Sequence, residues 1–144
     1  MILKHSLLYI SFIFIMMSCQ GTDGEIQRYK TSKSMKYVET SILSLDNDYV
    51  SVFNNTDFSG INRPGYMDIR LNKDKSIRYK IAFYGNEEEW KRASNCMFSV
   101  IKINGKINSQ FSFFSSEKKE LISIFDTEVI PLLEKEVGKI KKGE

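Results

Sequence analysis

The chain has 144 residues, 42% hydrophobic and 27% charged, with a formal net charge of +3, which suits one compact domain. Its cations are scattered, with no long basic block, so the linear sequence carries no footprint for nucleic acid. The single histidine is His5 and the two cysteines are Cys19 and Cys96, which excludes a disulfide framework and, beyond the first residues, any Ser-His-Asp triad or histidine-ligated metal site.

In chain order, Lys4 precedes an apolar run over residues 7–17 that closes on Ser18-Cys19. A cationic start, a brief apolar stretch and a small residue form the pattern of an export signal. The run is shorter than the ~20 apolar residues that a membrane-spanning helix needs. Met16-Met17-Ser18-Cys19 resembles the lipobox of bacterial lipoprotein precursors. That resemblance implies cleavage before Cys19, a diacylglyceryl group on its thiol and an acylated amine, and hence a membrane-anchored protein of the cell envelope. Met16 and Met17 stand where Leu and a small residue are usual. An ordinary secretory cut near Ser18 or Gly21, or an uncleaved apolar helix, are the competing readings. Gln20, where an Asp would resemble an inner-membrane retention signal, points to the outer membrane. Residues 1–18 are thus expected to be a signal peptide, 19–33 the lipidated Cys19 and a polar tether broken by Gly21 and Gly24, and 34–144 a single domain. The same cut would remove His5, and acylation would leave Cys96 as the one thiol.

Met35, Val38, Ile42 and Leu45 recur at helical spacing, with Ser32 or Ser34 as cap, a strand being the competing reading of residues 34–45. Asp46-Asn47-Asp48 ends that helix as turn residues; the Gly and distal Glu of a calcium loop are missing. Residues 49–53 read as a strand, followed by a loop over 54–65 that carries Asp57, Phe58 and Arg63 and closes in an Arg63-Pro64-Gly65 turn. Two alternating strands follow: Met67, Ile69 and Leu71, then Ile77, Tyr79, Ile81 and Phe83. Both apolar sets carry odd numbers, so same-face pairing sets Leu71 opposite Ile77 and Asp68 opposite Lys80, with one dry face and one charged face. Asn86 and Glu89 form a capping box for a short helix, with Trp90 either plugging the core edge or anchoring a partner. Asn104-Gly105 between apolar runs predicts a hairpin of residues 96–103 and 106–114, which puts Cys96, Phe98 and Val100 inward and Ile101 and Ile103 on the wet face. Ser115 or Ser116 caps a long final helix whose stripe runs Ile122, Phe125, Val129, Leu132, Leu133, Val137, Ile140, with Pro131 predicting a kink.

The expected fold is α+β: an antiparallel sheet of about five strands with a short N-terminal helix, a small helical insertion and a long C-terminal helix packed on one face. The functional reading is a lipid-anchored envelope protein acting as a protein-interaction module, an immunity-type inhibitor being one form of it. Tyr66, Trp90, Ile101, Ile103, Asp57, Phe58 and Arg63 are the candidate partner-binding residues. The alternative is a small apolar ligand or lipid held between sheet and final helix, among Tyr79, Phe83, Phe98, Phe111, Phe113 and Phe125. No catalytic group, metal or cofactor is expected. The expected partners are the membrane, through Cys19, and an envelope protein, not nucleic acid.

Overall fold

The computed structural model describes residues 24–46, 48–56, 61–112 and 114–144, with the side chains of 54–56 and 62 left aside. Cys19, Asp57, Phe58 and Phe113 lie outside the described residues, as does the leader.

The fold is α+β, with a six-stranded antiparallel sheet rather than five strands. In chain order the elements are β1 (Gln27–Thr31), α1 (Met35–Leu43), β2 (Val50–Thr56), β3 (Asn62–Leu71), β4 (Arg78–Phe83), α2 (Glu87–Arg92), β5 (Cys96–Ile103), α3 (Ser116–Ile124), a π turn (Phe125–Val129), α4 (Ile130–Val137) and β6 (Ile140–Lys142). The sheet order is β2-β3-β4-β5-β1-β6.

The middle of the chain folds as its alternation predicts. Asp68 pairs with Lys80, and the Leu71 amide donates to the Ile77 carbonyl at 3.1 Å. Met67, Ile69, Tyr79 and Ile81 are buried on the inner face. α1 forms where the spacing places it, with the Ser34 hydroxyl accepting from the Tyr37 amide and Met35, Val38, Ile42 and Leu45 buried.

Both ends of the chain depart from expectation. The stretch anticipated as tether contributes β1, an interior strand between β5 and β6 whose Tyr29 and Thr31 point into the core. The extension of the final helix through Ile140 is corrected as well. Gly138 takes φ of +78°, α4 ends at Val137, and β6 pairs with β1 at the sheet edge.

The predicted kink at Pro131 is instead a π turn just before it, in which the Ile130 amide donates to the Phe125 carbonyl. Widening the turn accommodates the proline, which lacks the amide that would bond Thr127 and whose ring would crowd that carbonyl.

The hairpin turn forms, Asn104 and Gly105 taking φ of +51° and +81°, but its second strand does not. After a single bridge between Ile103 and Lys106 the chain leaves the sheet for a one-turn helix at Asn108–Gln110. The place expected for that strand beside β5 is filled by β1. The Arg63-Pro64-Gly65 turn is also corrected: these residues lie within β3, at the point where its register with β2 slips.

The final helix clasps the inner face through aromatic contacts. Tyr29 stacks on Phe98 at 5.3 Å between ring centres, and Phe125 meets Tyr79 edge-on at 4.8 Å. The Tyr79 hydroxyl donates to the Leu121 carbonyl and the Tyr29 hydroxyl to Asp126, each at 2.7 Å. These bonds satisfy two phenols that are otherwise enclosed in apolar surroundings. Of the aromatics proposed to line a ligand space, Tyr79, Phe98 and Phe125 are fully buried and pack with Tyr29 and Phe83.

Candidate functional site

The final helix and α1 leave the opposite face of the sheet to its own side chains, and the register decides which residues meet there. Antiparallel partners share a face. Arg70 therefore stands beside Arg78, Lys80 beside Lys102, and Lys30 beside Lys141. Asp68 is the one acid that the strands place on this face among the described residues; its Oδ1 lies 3.4 Å from Lys80 Nζ. Like charges directly opposite one another work against a sheet, by about half a kcal/mol each on the scale of cross-strand pairs. Three such pairs on one face concentrate cations that the linear sequence scatters.

A β-bulge creates one of these pairs. Between Lys80 and Ile81 the register of β4 against β5 slips by one residue, so that Val100 faces Ile81 while Lys102 faces Lys80. Ile101 is the extra residue. The slip carries Ile103 into the core beside Tyr79, fully buried, and Ile101 is only 5% exposed. Both are thereby corrected as candidate contact residues. A signal for the bulge was present: strict alternation from Cys96 would have pointed Lys102 into the core.

Two guanidinium groups on this face are held by aromatic rings, Arg70 over Phe53 and Arg28 over Tyr84, each 5.2 Å from the ring centre. Arg28 also pairs with Glu25 at 2.9 Å. Two buried polar atoms at the centre of the face, Asp68 Oδ1 and Arg70 Nε, make no hydrogen bond within the protein. The lysine beside Asp68 is within ion-pair reach but outside hydrogen-bond geometry.

Tyr66, half-buried, lies on the same face opposite Ala82. Arg63 is exposed at the β3 end. Trp90 is half-buried against the core. Its indole Nε1 donates to the Tyr84 carbonyl at 2.7 Å, and its ring covers Gly65. The predicted capping box is present, Asn86 accepting from the Glu88 and Glu89 amides and Glu89 from the Asn86 amide. The structure thus gathers Tyr66, Arg63 and Trp90 at one corner and separates them from Ile103.

The cationic face runs into a cleft of about 600 Å³ lined by Lys30, Lys139, Lys141, Ser32, Ser94 and Asn95. Cys96 lies at its inner wall, buried, and desolvation pushes its thiol up to about 12. A neutral thiol is a poor nucleophile, which agrees with a packing role. A second cleft of about 430 Å³ opens where Tyr49, Val50, Leu71 and Ile77 meet Ile124 of α3. Among the described residues no group of three or more His, Cys, Asp or Glu is placed to hold a metal ion, and no helix is long and apolar enough to cross a membrane. No family model, no curated protein and no solved structure matches the chain.

Proposed function

We propose that the chain is a lipid-anchored protein of the bacterial envelope, favoured for the outer membrane, that acts as a protein-interaction module, an immunity-type inhibitor being the form that best fits a small domain of this kind. The observation that carries the interaction half is the outer sheet face, with stacked arginines, Tyr66 and closely spaced cations on a rigid sheet. Aromatic residues and arginine are the side chains enriched where proteins bind one another. The anchor half rests on the lipobox-like Met16-Met17-Ser18-Cys19. With β1 beginning at Gln27, seven residues, 20–26, separate Cys19 from the sheet, which would keep the sheet close to the bilayer. Several acyl chains on Cys19 would hold it there, each buried methylene adding ~0.8 kcal/mol.

Two measurements test this reading. Metabolic labelling with a palmitate analogue is expected to mark the wild-type chain and not Cys19→Ala. A photo-cross-linker at Tyr66 in intact cells is expected to trap a defined envelope protein, and a control at exposed Lys135 is not.

The cleft beside Ile124 supports a second reading, a small apolar ligand at the seam of sheet and final helix. Native mass spectrometry of the purified chain would show a bound mass beyond the lipid; the bare lipidated mass would retire it.

A further inference from the structure

We infer that the partner of the outer sheet face is an acidic protein segment, bound across the arginine and lysine pairs and reaching into the Lys30–Lys141 cleft. This inference rests on the interaction-module reading and names the chemistry of its partner.

Arg70 beside Arg78 and Lys80 beside Lys102 set like charges side by side on β3, β4 and β5, and Lys30 beside Lys141 adds a third pair about 15 Å further along the strands, since Lys30 faces Met97, five residues from Lys102 on β5. A carboxylate set between two such cations turns mutual repulsion into attraction for both.

The Arg70 guanidinium lies over Phe53, and an arginine backed by a ring suits bonding to a carboxylate through its remaining donors. The Arg28 fork is already filled by Glu25, its Nε donating to Oε1 at 2.9 Å and its Nη2 to Oε2 at 3.1 Å.

Asp68 sits in the middle of the face, enclosed, with its Oδ1 3.4 Å from Lys80 Nζ. A uniformly anionic surface meets that carboxylate with repulsion, whereas a protein segment supplies both signs.

The cleft provides an end to the track. Lys30, Lys139 and Lys141 converge there with the Ser32 and Ser94 hydroxyls, donors suited to a carboxylate group.

The test uses the full chain in neutral detergent and three probes: end-labelled poly-L-glutamate, phosphatidylglycerol-containing vesicles and a single-stranded DNA oligomer. Poly-L-glutamate is expected to bind with a strong salt dependence. The variant Arg78→Glu, Lys102→Glu, Lys141→Glu reverses one member of each pair and is expected to weaken that binding at least about tenfold. The same changes convert three like-charge pairs into opposite-charge pairs, so the thermal midpoint is expected to hold or rise. A charge-matched control, Lys75→Glu, Lys119→Glu, Lys135→Glu, is expected to stay within about twofold of wild type. Absence of poly-L-glutamate binding, equal losses in the two variants, or tighter binding of vesicles or DNA would each overturn the inference. A protein trapped at Tyr66 in cells alongside any of those results would leave the interaction module standing with a partner of another chemistry. An empty cross-link would remove the module itself.

Discussion

Gly65 lies within β3 with φ of +87°, and a Cβ added there would sit 2.6 Å from the Trp90 ring. Two penalties then combine. A left-handed backbone costs an L-residue about 1–2 kcal/mol, and driving a methyl into a ring held by its own hydrogen bond costs typically 1–3 more. Gly65→Ala is therefore expected to lose about 2–4 kcal/mol in urea unfolding, reported by Trp90, the one tryptophan in the sequence. A loss below 1 kcal/mol would mean that the indole is not seated on Gly65. At Cys96 the physical cause is burial alone, which holds the thiol neutral. Aromatic disulfide reagents at pH 8 are expected to titrate it only after denaturant is added; fast reaction of the native chain would contradict its enclosure.

The final helix shows how an element answers to the core rather than to one residue. Leu121, Phe125, Val129, Leu133 and Val137 are all buried, and each is four residues from the next. In an α-helix a four-residue step drifts roughly 40° around the axis, so this series would turn roughly 160° away from the sheet. The π turn at Phe125–Val129 takes up one extra residue, about 100° of that drift, and keeps the stripe facing inward. Two causes thus coincide, the phase of the core and the missing amide of Pro131. If phase dominates, Pro131→Ala retains the π turn, with stability within about 1 kcal/mol of wild type and an unchanged Ile130-to-Phe125 bond in hydrogen exchange. Reversion to continuous α-helix would assign the turn to the proline.

The same logic explains what could be read beforehand. Paired alternation with an odd connection left a single register for β3 and β4, and four apolar residues at helical spacing favoured α1 over a strand. β1 escaped because only Tyr29 and Thr31 face inward in a run otherwise polar, and β6 because Ile140 falls three residues after Val137, as in a helix. The outer face was hidden for a different reason. Its charges come from strands far apart in sequence, and one pair exists only because of the bulge at Ile101.

At the scale of the whole molecule, three enclosed groups share one response to pH. Burial raises the Cys96 thiol to about 12; burial, with the bond to Asp126 next, raises the Tyr29 phenol; and burial, then the Asp126 and Glu128 charges, raises Tyr79. Each group keeps its proton longer folded than unfolded. Between the ordinary values of 9.0 for the thiol and 10.0 for the phenols and their raised folded values, the unfolded chain has lost protons that the folded chain retains. Stability is therefore fully present below about pH 9 and declines as pH rises from there, continuously past pH 12. Because the Tyr29 and Tyr79 hydroxyls both bond the final helix, the decline concerns the clasp between helix and sheet. Tyr29→Phe is expected to lower stability at neutral pH by about 1–2 kcal/mol, through the lost bond to Asp126, yet to flatten the alkaline decline. Thermal midpoints of both proteins from pH 7 to 11 check this. Parallel curves would mean that Tyr29 does not carry the response, whereas converging curves are what the buried phenol demands.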